Sequence, residues 1–262
     1  MKIPLSLARY RFILVSLGEL RLPRFKGSAL RGGFGGAFRK VACTLRKKEC
    51  GDCLLRDTCI YPYVFETPIP KDSKVFIRQE EAPRPFVIEP PLEENRVYPK
   101  GEELAFGLIL IGKAIDYLPY FIYTFEELGQ AGIGKTKEKF ALKAVHALDE
   151  SGREVVVYSG QDKKLFSRRF TIDLSTPGNG EREREEVVLQ FLTPTRLKFQ
   201  GNLVGPRVEF SVLIKSLLRR VSALSAIHCG RVMEADFRGI IRRAEGVSIR
   251  ESRLFWERLS RY

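Results

Sequence analysis

Four cysteines within seventeen residues, Cys43, Cys50, Cys53 and Cys59, constrain this chain more than any other feature. The opening stretch MKIPLSLARYRF breaks its apolar run with Arg9 and Arg11, unlike a secretory leader. No run of 18 or more apolar residues offers a membrane span. The expectation is therefore a cytoplasmic protein, in which thiols stay reduced and clustered cysteines bind metal rather than pair as disulfides. Four thiolates suit tetrahedral Zn2+ or an iron–sulfur cluster. With all four positions filled by protein, the role is structural, holding residues of about 43–60 as an insertion. Cys229 stands apart and reads as a buried core thiol.

Charge supplies the second constraint. The chain carries a formal +13, concentrated in two segments. Residues 21–56 hold ten Lys or Arg against two Asp or Glu, and residues 211–262 hold eleven against five. Two dense basic segments suit a polyanion, through phosphate neutralisation and counterion release. Neither is a simple basic amphipathic helix beside an anchor, so a membrane surface is the poorer partner.

Hydrophobic periodicity gives an α+β order. Residues 5–17 alternate Tyr10, Phe12 and Leu14 against Arg9 and Arg11, as a half-buried strand does. A Gly-rich helix follows, started by Ser28 and carrying Leu30, Phe34, Phe38 and Val41 on one side. The Pro-rich stretch 60–100 reads as loop with a short edge strand at Phe86–Ile88. A strand at 104–111, a helix from Tyr117 to Gly129 and a strand at 140–148 complete a first unit. Asp149-Glu-Ser-Gly152 reads as the boundary to a second unit, which opens on a strand at 154–158. That unit continues with a long strand or hairpin at 187–199 and a helix at 208–228. The helix presents Phe210, Leu213, Leu217, Val221 and Leu224 inward, and a shorter helix follows at 236–245.

These segments carry resemblances. The spacing Cys-x6-Cys-x2-Cys-x5-Cys resembles the [4Fe–4S] loop of endonuclease III-type glycosylases, which favours a cluster over Zn2+. In that loop basic residues meet phosphate, a role that would fall here to Arg46, Lys47 and Lys48. The stretch Phe25-Lys-Gly-Ser-Ala-Leu-Arg-Gly32 is similar to a segment of the CRISPR-associated RAMP superfamily. Gly132-Ile-Gly-Lys135, Leu192-Thr-Pro-Thr-Arg-Leu-Lys198, Leu217-Leu-Arg-Arg-Val-Ser-Ala-Leu224 and the ending Leu254–Tyr262 resemble its branch that processes repeat RNA.

The resemblance implies two tandem ferredoxin-like (RRM-like) domains, at 1–148 and 153–262, with the Cys-rich insertion in the first. The family pattern runs on past Tyr262 into a Gly-rich segment, so the second domain is expected to be incomplete at its C-terminus. It implies binding and metal-independent cleavage of CRISPR repeat RNA, with 2′-OH attack leaving a cyclic phosphate. The alternative is a non-catalytic RNA-binding subunit of a CRISPR effector complex, with other subunits as partners. Besides the Cys loop, the expected RNA-binding residues are Lys26, Arg31, Lys135, Lys137, Arg219, Arg220 and Arg231. The two histidines, His146 and His228, are the candidate catalytic groups, with Tyr10 or Lys26 as substitutes.

Overall fold

The computed structural model describes residues 2–45, 49–68, 82–175 and 185–259. Strand β1 (Ser6–Ser16) leads through β2 (Leu20–Arg21) to helix α1 (Gly27–Ala42). Strands β3 (Phe86–Glu89), β4 (Val97–Tyr98) and β5 (Glu103–Ile111) follow, then helix α2 (Leu118–Ala131). Next come β6 (Phe140–Leu148), β7 (Glu154–Ser159), β8 (Lys164–Leu165) and β9 (Ile172–Asp173). A hairpin of β10 (Lys198–Phe199) and β11 (Asn202–Leu203) precedes helices α3 (Phe210–His228) and α4 (Phe237–Glu245).

The main sheet runs β3-β5-β1-β6-β7-β8, with β9 pairing the start of β1. Its pairs β3–β5, β5–β1 and β1–β6 are all antiparallel. With α1 after β1 and α2 after β5, that is the ferredoxin-like order, and the α+β class follows from it. The alternation in β1 sorts the two faces. Ala8, Tyr10, Phe12 and Leu14 are buried toward the helices, while Arg11 lies exposed on the opposite, open face.

Aromatic rings fill the space between sheet and helices. Phe34 of α1 stacks on Phe121 and Phe125 of α2, at 4.9 and 5.2 Å between centroids. It also meets Phe86 of β3 edge-on and packs against Phe38 and Phe65. Each such pair contributes about 0.5–1.5 kcal/mol beyond its area burial. The expected inner face of α1 is confirmed at Leu30, Phe34 and Phe38, all fully buried. The helix opens at Lys26 rather than at Ser28, whose hydroxyl donates to the Phe25 carbonyl instead.

Several expectations are corrected. Gly129 does not stop α2, which continues to Ala131. A Cβ there would lie 2.3 Å from the Phe140 carbonyl oxygen, so the glycine serves close passage of helix over strand. Asp149–Gly152 is a hairpin turn, with Asp149 Oδ1 accepting the N–H groups of Ser151 and Arg153. The strand after it, β7, pairs with β6 and extends the first sheet instead of opening another. Among the described residues, 185–197 hold no strand. The second half thus contributes β7–β9 to the first sheet, a separate hairpin and two packed helices. Its apolar side chains remain on the surface at Val188, Phe255 and Trp256.

Helix α3 seats its C-terminal end on the first unit. Leu224 packs with Leu5 and Ile111 in a small second core. The inner face is offset from the expected one: Leu218 is buried and Leu217 exposed. Gly112, at φ +56, lets the His228 carbonyl pass where a Cβ would be 2.0 Å away.

Two glycine substitutions have opposite expected signs. Gly129→Ala forces α2 off Phe140 and lowers stability by about 1–3 kcal/mol. Gly36→Ala, mid-helix with nothing within 4 Å of the added carbon, raises it by about 0.5–1 kcal/mol. Urea unfolding midpoints of the two variants against the parent check both signs.

Candidate nucleic-acid interface

The open face of the sheet carries a charged ladder. Arg11 of β1 lies opposite His146 of β6, and Glu154 opens β7 beside them. Arg11 Nη1 donates to Glu154 Oε1 at 2.9 Å, and His146 Nδ1 donates to Glu154 Oε2 at 2.8 Å. The two hydrogen bonds hold the Glu154 carboxyl below its ordinary range, His146 contributing the larger part. A neutral ring that donates through Nδ1 to Glu154 has Nε2 as its acceptor. The His146 side chain is 22 % exposed.

His228 does not serve as expected. It is fully buried, its Nε2 donates to the Pro83 carbonyl at 2.8 Å, and its Nδ1 lies 3.2 Å from the Tyr63 hydroxyl. Neither nitrogen is open to a substrate, and the ring latches α3 to the Pro-rich segment. Tyr10 and Lys26 are also withdrawn. Tyr10 is 2 % exposed, and burial pushes its hydroxyl up to about 12. Lys26 is fully buried and donates to the Glu93 carbonyl at 2.7 Å, with its ammonium 5.9 Å from the centre of the Tyr98 ring. Its role is to pin the 93–98 segment on the start of α1, not to meet RNA.

The other expected RNA contacts divide. Lys135 and Lys137 are exposed in the tight turn after α2. Lys137 and Lys40 line a groove of about 620 Å3 between α1 and α2, with Tyr123 on its wall. Arg231 pairs with Asp173 of β9 at 3.4 Å, and its backbone N–H closes on Ser225. Arg219 is exposed on α3. Arg46, Lys47 and Lys48 lie outside the described residues.

Sequence reasoning missed Arg84, whose positive charge, with that of Arg220, acts on Arg31. The Arg31 guanidinium sits 4.9 Å from the centre of the Phe86 ring. Burial, then the positive charges of Arg84 and Arg220, lower its proton affinity. The signal for Arg84 was an arginine between two prolines, Pro83 and Pro85, on a backbone too stiff to swing away.

The four cysteines lie between the end of α1 and the turn that closes at Cys59. Cys43 closes α1, its N–H donating to the Arg39 carbonyl. Cys50 starts a single tight turn that closes at Cys53, and the Cys59 N–H donates to Leu55. Cys50 is buried near Cys43, and burial with a hydrogen bond to Glu66 pushes its thiol up to about 11. Among the described residues, no three His, Cys, Asp or Glu side chains converge as metal ligands.

No helix of the described residues is long and apolar enough to cross a membrane. Residues 5–170 match the family model AF_1859_N, an N-terminal domain, and this span ends where the additions to the sheet's β7–β8 edge end. Residues 189–256 match the model of CRISPR-associated endoribonuclease Cas6. An uncharacterized protein of Archaeoglobus fulgidus is 30% identical over 185 residues, covering 71% of this chain. The chain spans 60% of that relative's length. A Csm3–Csm4 subcomplex of a type III-A CRISPR-Cas interference complex aligns with a TM-score of 0.33 and 11% identity, over 56% of this chain and 80% of that one.

The His228 latch is pH-dependent. Burial lowers its pKa from the ordinary 6.5, against the opposing Pro83 carbonyl. The unfolded chain therefore takes the proton first, and stability is full above that ordinary value and falls as pH drops through it. The melting temperature is expected to drop between pH 7.5 and pH 5. His228→Gln, which retains a donor for Pro83 but does not titrate, is expected to show a smaller drop in the same scan.

Proposed function

The chain belongs to the AF_1859_N family, and from that membership, with the Cas6-like segment behind it, we propose a CRISPR-associated protein that binds and cleaves repeat RNA. The observation that carries the cleavage reading is the Arg11–Glu154–His146 ladder on the open face of the sheet. His146 Nε2 accepts the proton of a ribose 2′-OH, and the 2′ oxygen attacks the adjacent phosphorus. The bond to the 5′ oxygen breaks, and that oxygen takes a proton from water, giving a 2′,3′-cyclic phosphate and a 5′-hydroxyl end. Glu154 steadies the imidazolium that forms. Arg11, half exposed beside it, and Arg9, one row along the same face, offer positive charge to the phosphorane.

A second reading, a non-catalytic RNA-binding subunit of a CRISPR effector complex, is favoured by the burial of His228. The apolar side chains exposed at Val188, Phe255 and Trp256 also suit assembly with other subunits.

Repeat RNA incubated with the protein in EDTA distinguishes the two. Cleavage predicts a product ending in a cyclic phosphate, slowed by about 10²–10⁴-fold in His146→Ala and less in Glu154→Gln. RNA that is bound but intact removes the cleavage reading and leaves the subunit reading.

The spacing of Cys43, Cys50, Cys53 and Cys59 supports a structural [4Fe–4S] cluster, with Zn2+ as the alternative. Anaerobically purified protein is expected to absorb near 400 nm and to contain about four iron atoms per chain. Cys53→Ser is expected to lose both. Zinc in place of iron in that preparation selects the alternative, and protein with neither metal removes the proposal.

A further inference from the structure

We infer that the groove between α1 and α2 binds unpaired nucleotides, with the Tyr123 ring stacking a base and Lys40 and Lys137 taking flanking phosphates. The site deepens the RNA-binding reading above and rests on it for the identity of the strand.

The groove encloses about 620 Å3 and is lined by three kinds of surface. Gly33 and Ala37 of α1 keep one wall small, with Leu128 of α2 behind them. Tyr123 and Glu127, one turn apart on α2, stand on the other wall. Lys40 of α1 and Lys137 of the turn after α2 add two ammonium groups.

The aromatic part is open to a ligand. Tyr123 is 53 % exposed, although its neighbours Ile122 and Thr124 are buried. Tyr120, three residues earlier, is 45 % exposed, and its ring stands edge-on to Tyr117 at 6.2 Å. Rings three residues apart are neighbours on a helix surface. An unpaired nucleobase offers such a ring a π face whatever its identity, and a paired base in a duplex does not. A single strand is therefore the better occupant.

The charge agrees. Among the described residues neither Lys40 nor Lys137 has a carboxylate partner, whereas Lys143, Lys163 and Lys215 each have one. Glu127 is the acid in the lining, and its charge and hydrogen bond hold the Tyr123 hydroxyl above its ordinary range. Two ammonium groups against one carboxylate leave the groove positive, as a phosphate chain requires.

The turn that carries Lys137 is rigid. Ile133 and Glu138 exchange both backbone hydrogen bonds, at 3.0 and 3.2 Å, and the Gly132 N–H donates to the Leu128 carbonyl. Lys137 sits at φ +55, a region that glycine enters freely and lysine enters at a cost. The fold thus keeps an ammonium beside the groove where a glycine would close the turn with less strain.

The test uses the full chain carrying His146→Ala as parent, so that RNA stays intact. Binding is measured to single-stranded repeat RNA and to the same RNA annealed to its complement. Tyr123→Ala is expected to weaken single-strand binding about tenfold and to leave duplex binding within about twofold. Tyr123→Phe, which keeps the ring, is expected to bind as the parent does. Lys137→Gly is expected to melt no lower than the parent and to bind the single strand more weakly. Its slope of log affinity against log salt falls by about 0.7, the share of one single-strand phosphate. Single-strand binding that Tyr123→Ala and Lys137→Gly both leave intact overturns the groove while the RNA reading stands. Equal losses on single strand and duplex overturn the base platform. A parent that binds no RNA overturns the RNA reading. Single-stranded DNA then tests the groove alone, because stacking and phosphate contact do not depend on the sugar. DNA binding weakened by Tyr123→Ala sustains the groove, and DNA binding that is absent or unchanged overturns it.

Discussion

Phe34 is the contact on which the rest of this architecture depends. Its ring touches aromatic side chains from α1, α2, β3 and the turn after the cysteine loop. One buried side chain thereby sets the spacing of both helices and the edge strand. Phe86 is held by that packing, and Arg31 lies on the far side of Phe86. The placement of a surface charge is thus decided by the interior. The Cys loop hangs from the same cluster, since Phe38, Tyr61 and Phe65 stack where the loop returns to the core.

The two faces of the sheet do different work. Toward the helices the residues are aromatic or aliphatic and closed to water. The open face mixes Arg9, Arg11, His146 and Glu154 with aliphatic positions such as Ile13 and Val156. Apart from His146, the side chains of the described strands on that face are charged, small or aliphatic. Arg31 lies at the β3 edge against Phe86, apart from the ladder on β6 and β7. A long polyanion reaching both must turn around the edge of the sheet.

How much of this was legible beforehand depends on how local each determinant is. The alternation in β1, the Leu30–Phe34–Phe38 stripe and the strand at 140–148 are periodic within one segment, and they read correctly. Glycine at 129 was ambiguous because a helix stop and a close strand crossing demand the same residue. Asp149–Gly152 has the composition of any tight turn, and only β7 pairing with β6 distinguishes a hairpin from a boundary. In α3 adjacent leucines at 217 and 218 left two registers for the inner face, which the packing resolved for Leu218. Of the candidate site, His146 and Arg31 were visible by type. Glu154, eight residues from His146, comes beside it only through the hairpin that its turn residues left ambiguous, and Arg11 reaches the pair from a strand 143 residues away from Glu154. Lys26 shows the converse: a basic residue in a basic segment was buried by a carbonyl and an aromatic ring.

The described residues form two cores of very unequal size, and this has a kinetic consequence. The larger joins the sheet to α1 and α2, whereas the smaller consists of Leu5, Ile111 and Leu224 with a few partly covered neighbours. Opening the smaller one exposes little apolar area, so it needs no global unfolding. Amide protons along α3 should then exchange with solvent through a local opening, while those of β1 and β5 wait for the whole sheet to come apart. The molecule is in that sense two clocks on one chain, with His228 at the point where the faster is geared to the slower.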